Sequence, residues 1–309
     1  MKKNTTVLTH LLVTFLLIGV LILTACHTSK AKTENIVTDA NVNGIATVTD
    51  SYGDIALDAE HFPDRSFRKY INKFDTNHDG ILSADERGKV FEIDLHDEGI
   101  LTSQEIWDIE TLEGLQYFPS LFSLDSSGAG INTLDVSTLS NLTYLYCCMN
   151  DLDELDVTHN PNLRKLYCST NHISSIDLTN NIRLTHFYCI SNDLTTLNVS
   201  NCPHLTELDF SQNELTSIDL AANHELQLLA CVGNLLETVT MPHSTLLHYV
   251  DLTANENLTE LDVSYNPILI ALLDRGPIKG KNAHTWEIAG NGAMFLQTDN
   301  TVAVYRTVG

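Results

Sequence analysis

Residues 163–183 read LRKLYCSTNHISSIDLTNNIR, and this stretch decides the fold because the chain repeats it. Leu121, Leu142, Leu163, Leu184, Leu205, Leu226 and Leu247 recur every 21 residues. Three positions on stand Leu124, Leu145, Leu166, Phe187, Leu208, Leu229 and Val250. Asn150, Asn171, Asn192, Asn213, Asn234 and Asn255 keep the same spacing, and Leu152, Ile173, Leu194, Leu215 and Leu236 follow two residues after the first five. A fixed period of this size marks a stack of small units. One unit buries perhaps five apolar side chains, worth ~8–15 kcal/mol, while ordering its backbone costs ~1–2 kcal/mol per residue. A single unit therefore cannot fold alone, and stacked units can. The L-x-x-L-x-C segments are expected to pair as short parallel strands ~4.8 Å apart. The Asn column is expected to satisfy backbone groups at the turn leaving each strand.

Working outward, the pattern slips after Asn255, where Leu258, Leu261 and Val263 resume it and read as a strand half a unit early. Beyond Asp274 the repeat is lost, and residues 274–309 read as a small terminal β cap, with Asp299-Asn300 as a hairpin turn. Upstream, Val90 to Leu95 alternates, with Phe91, Ile93 and Leu95 on one side, and reads as the first strand. Thr102 to about Leu115 reads as a short helix capped by Thr102 and Glu105.

Residues 75–86, DTNHDGILSADE, satisfy D-x-[DN]-x-[DN]-G-x5-E throughout. Calcium takes six to eight oxygens in flexible geometry. Asp75, Asn77 and Asp79 offer side chains at alternate positions, Ile81 its carbonyl, Ser83 a direct or water-mediated contact, and Glu86 a closing carboxylate. Gly80 permits the sharp turn and Leu82 is expected to face the core. Before the loop, Pro63 suits a helix start, and Phe67, Tyr70, Ile71 and Phe74 form one apolar stripe. Ser83 and Glu86 form a capping box for a second short helix. The plain alternative is an acidic helix-loop-helix without metal.

The first 26 residues read as a targeting segment. Lys2 and Lys3 precede the apolar run Leu11–Leu23, and Leu23-Thr24-Ala25-Cys26 resembles the lipobox at which bacterial lipoproteins are acylated, making Cys26 the lipidation site. The alternative is an uncleaved anchor, since Val7 to Ala25 approaches the ~20 residues of a membrane span. Residues 27–55 are polar and aperiodic and read as a flexible linker. The organisation is thus a lipoprotein signal peptide (1–26), a linker (27–55), a helix-loop-helix cap (56–100), repeats (101–273) and a β cap (274–309).

Composition narrows the partners. The 309 residues carry 17 Lys+Arg against 40 Asp+Glu. Such a surface repels nucleic acid and anionic lipid and favours cations. Cys147, Cys168, Cys189 and Cys231 share one repeat position with Phe210 and Leu252, which argues for buried thiols, although neighbours in such a ladder could also bridge. Cys202 takes a place held elsewhere by Asn160, Asn181 and Asn223. Cys148 is expected to point outward.

If alternate strand residues face out, three columns form on the concave face. They are Tyr144, Lys165, His186, Glu207, Leu228, Tyr249; Tyr146, Tyr167, Tyr188, Asp209, Ala230, Asp251; and Cys148, Ser169, Ile190, Ser211, Val232, Thr253. Tyr144, Tyr146, Lys165, Tyr167, His186, Tyr188, Glu207 and Asp209 are the candidate ligand-binding residues. Stacked tyrosines can equally serve to brace neighbouring strands. A further column, Asp135, Asp156, Asp177, Asn198, Asp219, brings carboxylates close together and calls for compensation, most simply by turn N–H groups, or else by a row of cations. No hydrolase, nucleotide or metalloprotease motif is present.

Residues 62–86 followed by units such as LRKLYCSTNHISSIDLTNN resemble bacterial secreted and lipoprotein leucine-rich-repeat proteins that carry one EF-hand-like segment before their repeats. The resemblance covers about residues 60–273. It implies an α/β leucine-rich-repeat solenoid with an EF-hand-like cap, stabilised by calcium. It also implies a protein or glycan ligand at the cell surface, internalin-like in general style, and no catalytic residue. The expected protein is a non-enzymatic monomer, tethered to a bacterial membrane through Cys26, that binds no nucleic acid. A dockerin-like component that docks a partner through the EF-hand segment is the alternative. The segment from Leu101 to Leu121 is longer than the family's direct run into the repeats.

Overall fold

The computed structural model describes residues 52–252, 254–258, 261–263 and 265–267, and the backbone of three strands at 285–288, 294–298 and 301–305. The signal peptide, Cys26 and most of the expected linker lie outside the described residues.

Eight three-residue strands form one all-parallel sheet. They are β3 (Glu92–Asp94), β4 (Ser123–Asp125), β5 (Tyr144–Tyr146), β6 (Lys165–Tyr167), β7 (His186–Tyr188), β8 (Glu207–Asp209), β10 (Leu228–Ala230) and β12 (Tyr249–Asp251). Their register is the sequence period itself: Leu124, Leu145, Leu166, Phe187, Leu208, Leu229 and Val250 lie side by side. On the opposite side of the coil, β9 (Ser217–Asp219) and β11 (Thr238–Thr240) pair in parallel with the same offset. The leucines of successive units fill one continuous core; Leu121, Leu142, Leu163, Leu184, Leu205, Leu226 and Leu247 are fully buried. The chain is a leucine-rich-repeat solenoid.

Two devices let such short strands persist. At each strand entrance two consecutive N–H groups share one carbonyl, as Arg164 and Lys165 do with Thr143 O and Thr185 and His186 do with Arg164 O. At each exit from β4 onward one residue takes a left-handed conformation: Met149, Thr170, Ser191, Gln212 and Ala254 at φ 53–59°, and Gly128 and Gly233 where glycine stands instead. Such a residue costs ~1–2 kcal/mol when it is not glycine. The asparagine that follows offsets this. Asn171 Nδ2 donates to Cys147 O at 3.0 Å and Cys168 O at 2.9 Å, and its Oδ1 accepts from Leu152 N at 3.1 Å. Asn150, Asn192, Asn213, Asn234 and Asn255 repeat the pattern. The turn role expected of this column is what the structure shows.

A second asparagine row runs inside the stack. Asn160 donates to Val136 O and Leu139 O, Asn181 to Val157 O and Asn160 O, and Asn223 to Val199 O and Cys202 O. Cys202 stands in this row and points its thiol at Leu178 O, 4.0 Å away, the carbonyl an asparagine would take. That explains how a cysteine is tolerated in an asparagine place.

The front segment is built differently. Helix Arg65–Ile71 starts at the Asp64 cap, whose carboxylate accepts from Phe67 N, and buries Phe67, Tyr70 and Ile71. Helices Ala84–Gly88 and Ser103–Trp107 both open with complete capping boxes, Ser83/Glu86 and Thr102/Glu105. The third helix is shorter than its sequence suggested and is followed by a 3-10 turn at Leu115–Tyr117. Gly114 before that turn has φ 112°, and a Cβ there would lie 2.3 Å from the Phe62 ring. Tyr70 joins this segment to the sheet: its hydroxyl donates to Asp97 at 2.9 Å and accepts from Asp94 N at 3.0 Å.

Several expectations change. The linker ends earlier than residue 55, because Ile55 is buried and strand β1 (Ile55–Ala56) pairs antiparallel with β2 (Ile81–Leu82). Phe91 does not share a side with Ile93 and Leu95: it is 40% exposed, and Val90 takes the inward place, giving the spacing of a repeat leucine. The phase slip is not an early strand. Leu258, Leu261 and Val263 are buried, residues 261–263 form no strand, and Asn266 donates to Pro242 O, so this is the rear half of a unit carrying one extra residue. In the last segment, β13 (Thr285–Ile288), β14 (Met294–Thr298) and β15 (Thr301–Tyr305) form an antiparallel sheet. Thr298 lies opposite Thr301, the register of a two-residue hairpin. The expected sealing of the stack by this sheet concerns side chains outside the described residues.

Candidate binding face and candidate calcium loop

The loop 75–86 is closed by its own polar groups. Asp75 accepts from Gly80 N at 2.9 Å and from Asp79 N at 3.3 Å. Asn77 Oδ1 accepts from Asp79 N, and Asp79 Oδ1 from Ile81 N. Glu86 bridges the two ends: Oε1 accepts from Thr76 N and its hydroxyl at 2.8 and 2.7 Å, and Oε2 from Ser83 N and its hydroxyl at 3.0 and 2.8 Å. These bonds, led by the Thr76 hydroxyl, hold the Glu86 carboxyl down at about 2. Thr76 was not among the residues singled out from sequence; only the tertiary closure reveals it. Gly80 sits at φ 78° and His78 at φ 60°, so the turn needs the glycine and strains the histidine. Leu82 is fully buried, as expected, and Ile81 leaves its side chain 40% exposed.

Asp75, Asn77, Asp79, Ile81, Ser83 and Glu86 thus share one short loop and offer only oxygens, which suits a hard cation such as calcium. The carboxylates, however, are turned toward loop amides and hydroxyls. Among the described residues no three His, Cys, Asp or Glu side chains are gathered closely enough to hold an ion. The donor set fits calcium in kind, and its convergence on one point is not seen.

Arg87, the residue after Glu86, is fully buried. It donates to Tyr117 O at 2.8 Å, to Leu82 O at 3.4 Å and to Gly53 O. One guanidinium therefore ties the loop exit to the segment before β1 and to the turn entering the repeats.

On the sheet, the first two expected columns lie in register across the strands. The first runs Glu92, Ser123, Tyr144, Lys165, His186, Glu207, Leu228, Tyr249, and the second Asp94, Asp125, Tyr146, Tyr167, Tyr188, Asp209, Ala230, Asp251. The rings of Tyr146 and Tyr167 meet edge-on with centroids 5.0 Å apart, and those of Tyr167 and Tyr188 are tilted at 4.7 Å. Tyr167 and Tyr188 are half-buried, but Tyr146 is only 7% exposed, so the ladder is not uniformly open. His186 lies 3.5 Å from Glu207, and Tyr188 donates its hydroxyl to the same carboxylate. Together they hold Glu207 down at about 2, with His186 the larger cause.

The carboxylates that bracket the tyrosines behave in the opposite way. Burial pushes Asp125 up to about 6, with Asp94 adding to the rise. Burial likewise pushes Asp209 up to about 6, against the hydrogen bonds from Ser211, and Asp251 adds to the rise. Neither makes an ion pair among the described residues; each accepts an N–H two residues on, from Ser127 at 3.0 Å and Ser211 at 2.9 Å.

The third column is closed from Cys148 to Ser211, while Val232 is half-buried. Cys148, expected to point outward, is fully buried, and Ser169, Ile190 and Ser211 are each under 10% exposed. The Ser169 and Ser211 hydroxyls accept from Ile190 N and Val232 N of the next unit, stitching strand exits together. A second aromatic row was missed from sequence: Phe91, Phe122 and Tyr144 approach one another along the strand entrances at 6.4 and 6.2 Å between centroids. The shared spacing of Phe91 and Phe122 to the leucine or valine before them was the available signal.

Elsewhere, the Asp135 column is compensated as expected. Asp135, Asp156, Asp177, Asn198 and Asp219 each accept the N–H two residues on, at 2.8–3.0 Å. The Thr158 and Thr179 hydroxyls and N–H groups hold Asp156 and Asp177 below the usual carboxylate range. Cys147, Cys148, Cys168, Cys189, Cys202 and Cys231 are all buried. Burial pushes the Cys202 thiol up to about 12 and those of Cys189 and Cys231 well above their usual value, which makes them poor nucleophiles.

A leucine-rich-repeat family model matches residues 201–222 and 254–268. Among solved structures, the functional domain of InlJ from Listeria monocytogenes, described as including a cysteine ladder, is 21% identical over 70% of this chain, with a TM-score of 0.29. This chain spans 65% of that domain, just under two thirds. The internalin InlF from Listeria monocytogenes is 18% identical over 70% of this chain and 82% of its own, with a TM-score of 0.47. A leucine-rich-repeat protein of Leptospira interrogans is 19% identical over 59% of this chain and 62% of its own, with a TM-score of 0.44. No curated protein matches the chain. Among the described residues no helix is long and apolar enough to cross a membrane.

Proposed function

We propose that this protein is an exported, lipid-anchored binding module of the bacterial surface whose protein or glycan ligand seats on the concave sheet face. The observation that carries the reading is the register of β5–β8. It sets Tyr144, Lys165, His186 and Glu207 beside Tyr146, Tyr167, Tyr188 and Asp209, so aromatic surface and both signs of charge share one rigid sheet. Interfaces favour such aromatic groups because they contribute large contact area with few rotatable bonds. The test is a glycan and peptide array probed with the protein and with its Tyr167→Ala/Tyr188→Ala variant. Retained ligands whose signal the variant loses support the reading; an unchanged binding profile overturns it.

In this reading the loop 75–86 holds calcium through Asp75, Asn77, Asp79, Ile81, Ser83 and Glu86, and the ion braces the front segment against the first repeat. Calcium present at 100 times its Kd would add about 2.7 kcal/mol of stability by mass action. The melting temperature is therefore expected to fall when a chelator is added and to recover with calcium. Identical melting curves in both conditions would leave the loop's own hydrogen bonds, those of Asp75 and Glu86 among them, as its closure. Acylation at Cys26 is tested by labelling with a fatty acid: the label is expected on the chain and absent from Cys26→Ser.

A further inference from the structure

The concave face carries charge in an ordered way. Its front end presents Glu92 and Asp94, with Asp125 beside them 8% exposed; its middle presents Tyr167 and Tyr188 beside Lys165 and His186; its far end presents Asp209 and Asp251. Lys165 therefore sits between two acidic ends, and the other lysine near the front end, Lys73, is paired with Asp97. Asp125 and Asp209 have lost much of their water yet make no ion pair among the described residues, whereas Glu207, on the same strand as Asp209, is already engaged by His186 and Tyr188. An incoming cation would relieve the two ends and would be repelled at the centre.

We infer that the face takes an extended polypeptide segment bearing one basic side chain at each end and uncharged residues between, laid across the strands from Asp125 to Asp209. This rests on the concave-face reading and names the class of ligand. The spacing follows from the sheet. Asp125 on β4 and Asp209 on β8 are four strand steps apart, about 19 Å at ~4.8 Å per step. An extended chain rising ~3.3 Å per residue covers that in about six residues. The segment between lies over Tyr167 and Tyr188, where side-chain stems and peptide planes can pack on the rings.

The experiment measures calorimetric binding of two synthetic peptides to the full-length protein in detergent at physiological salt. Both contain two arginines in an otherwise uncharged sequence, six residues apart in one and adjacent at the centre in the other. The spaced peptide is expected to bind about tenfold tighter, the scale of two weak ion pairs. Asp125→Asn/Asp209→Asn is isosteric and should abolish that preference. Asp135→Asn/Asp156→Asn/Asp177→Asn, on another surface, should retain it; Asn198 shows that asparagine keeps the turn there. Equal affinity for the two peptides, or a preference that survives Asp125→Asn/Asp209→Asn, overturns the inference. Loss of binding in Tyr167→Ala/Tyr188→Ala with the aspartate variant silent overturns the basic-peptide class and keeps the face. Binding insensitive to both face variants overturns both readings.

Discussion

The front segment and the repeat stack solve the same problem in opposite ways. Residues 52–118 hold together through contacts made once: the Arg87 guanidinium, the Tyr70 hydroxyl, the Glu86 bridge, and the Phe62, Phe67 and Phe118 rings. From β4 onward the strand, turn and core contacts have copies. Asn171, Asn192 and Asn213 make the same bonds one unit apart, and Leu166 and Leu208 do the same work in the core. Repetition shares the cost of a defect between neighbouring units, while a unique contact has no neighbour to take over. The front segment should therefore be the more fragile region per residue, and it is also where the chain has invested its capping boxes and its acidic loop.

Four measurements sharpen or break that contrast. Arg87→Leu should have the largest effect. It leaves the carbonyls of Gly53, Leu82 and Tyr117 without this donor in a buried setting, a loss of about 3–5 kcal/mol. Exchange of the front-segment amides should rise while those of β6–β8 stay protected; uniform loss along the chain would show that the two regions unfold as one.

Asn192→Ala comes next, at about 2–4 kcal/mol, because the N–H of Ile173 and the carbonyls of Cys168 and Cys189 lose their partner inside the stack. Asn171 and Asn213 should keep their own turns, so the unfolding transition should shift without splitting. A second transition would mean that repetition does not share the defect.

Asp125 lies at the seam between the regions and gives a pH signature. Its folded pKa of about 6 lies above the ordinary aspartate value of 3.8, so between these values the folded chain holds a proton that the unfolded chain has released. This group's contribution to stability is therefore fully present near pH 4, declines as pH rises to about 6, and is flat above that. Asp125→Asn should remove that decline and raise stability at pH 7 by about 1–3 kcal/mol. A difference between variant and parent that does not change between pH 4 and 7 would contradict it.

The smallest effect is a gain. Thr170 is β-branched and exposed at φ 59°. Thr170→Gly should relieve the strain and stabilise by about 1 kcal/mol at most, since glycine also frees the unfolded chain. Ser191→Gly, at φ 53° one unit on, should match it if the units are interchangeable. A loss in either variant would mean that the side chain, not the backbone, sets that turn.

The two regions also differed in how legibly they were written. In the stack, Leu121 and Asn150 repeat so often that the period gave strand order, register and the turn role of asparagine directly. In the front segment, the Asp75–Glu86 spacing and the Ser83 and Thr102 capping boxes were readable because each is a local pattern. Arg87 was not readable, since its carbonyl partners lie up to 34 residues away and carry no side-chain signature. Cys148 and Phe91 were misplaced for a related reason. Strand alternation says which way a side chain leaves the backbone, but exposure depends on what the adjoining unit lays over it.

The sequence by itself determined that this chain stacks 21-residue units behind an acidic loop, because periodicity and short-range spacing are properties of the chain alone. The tertiary structure decided which columns stay open, which carboxylates lose their water, and that one guanidinium fastens three distant segments. Those outcomes depend on burial and on long-range neighbours, and they exist only once the coil has closed.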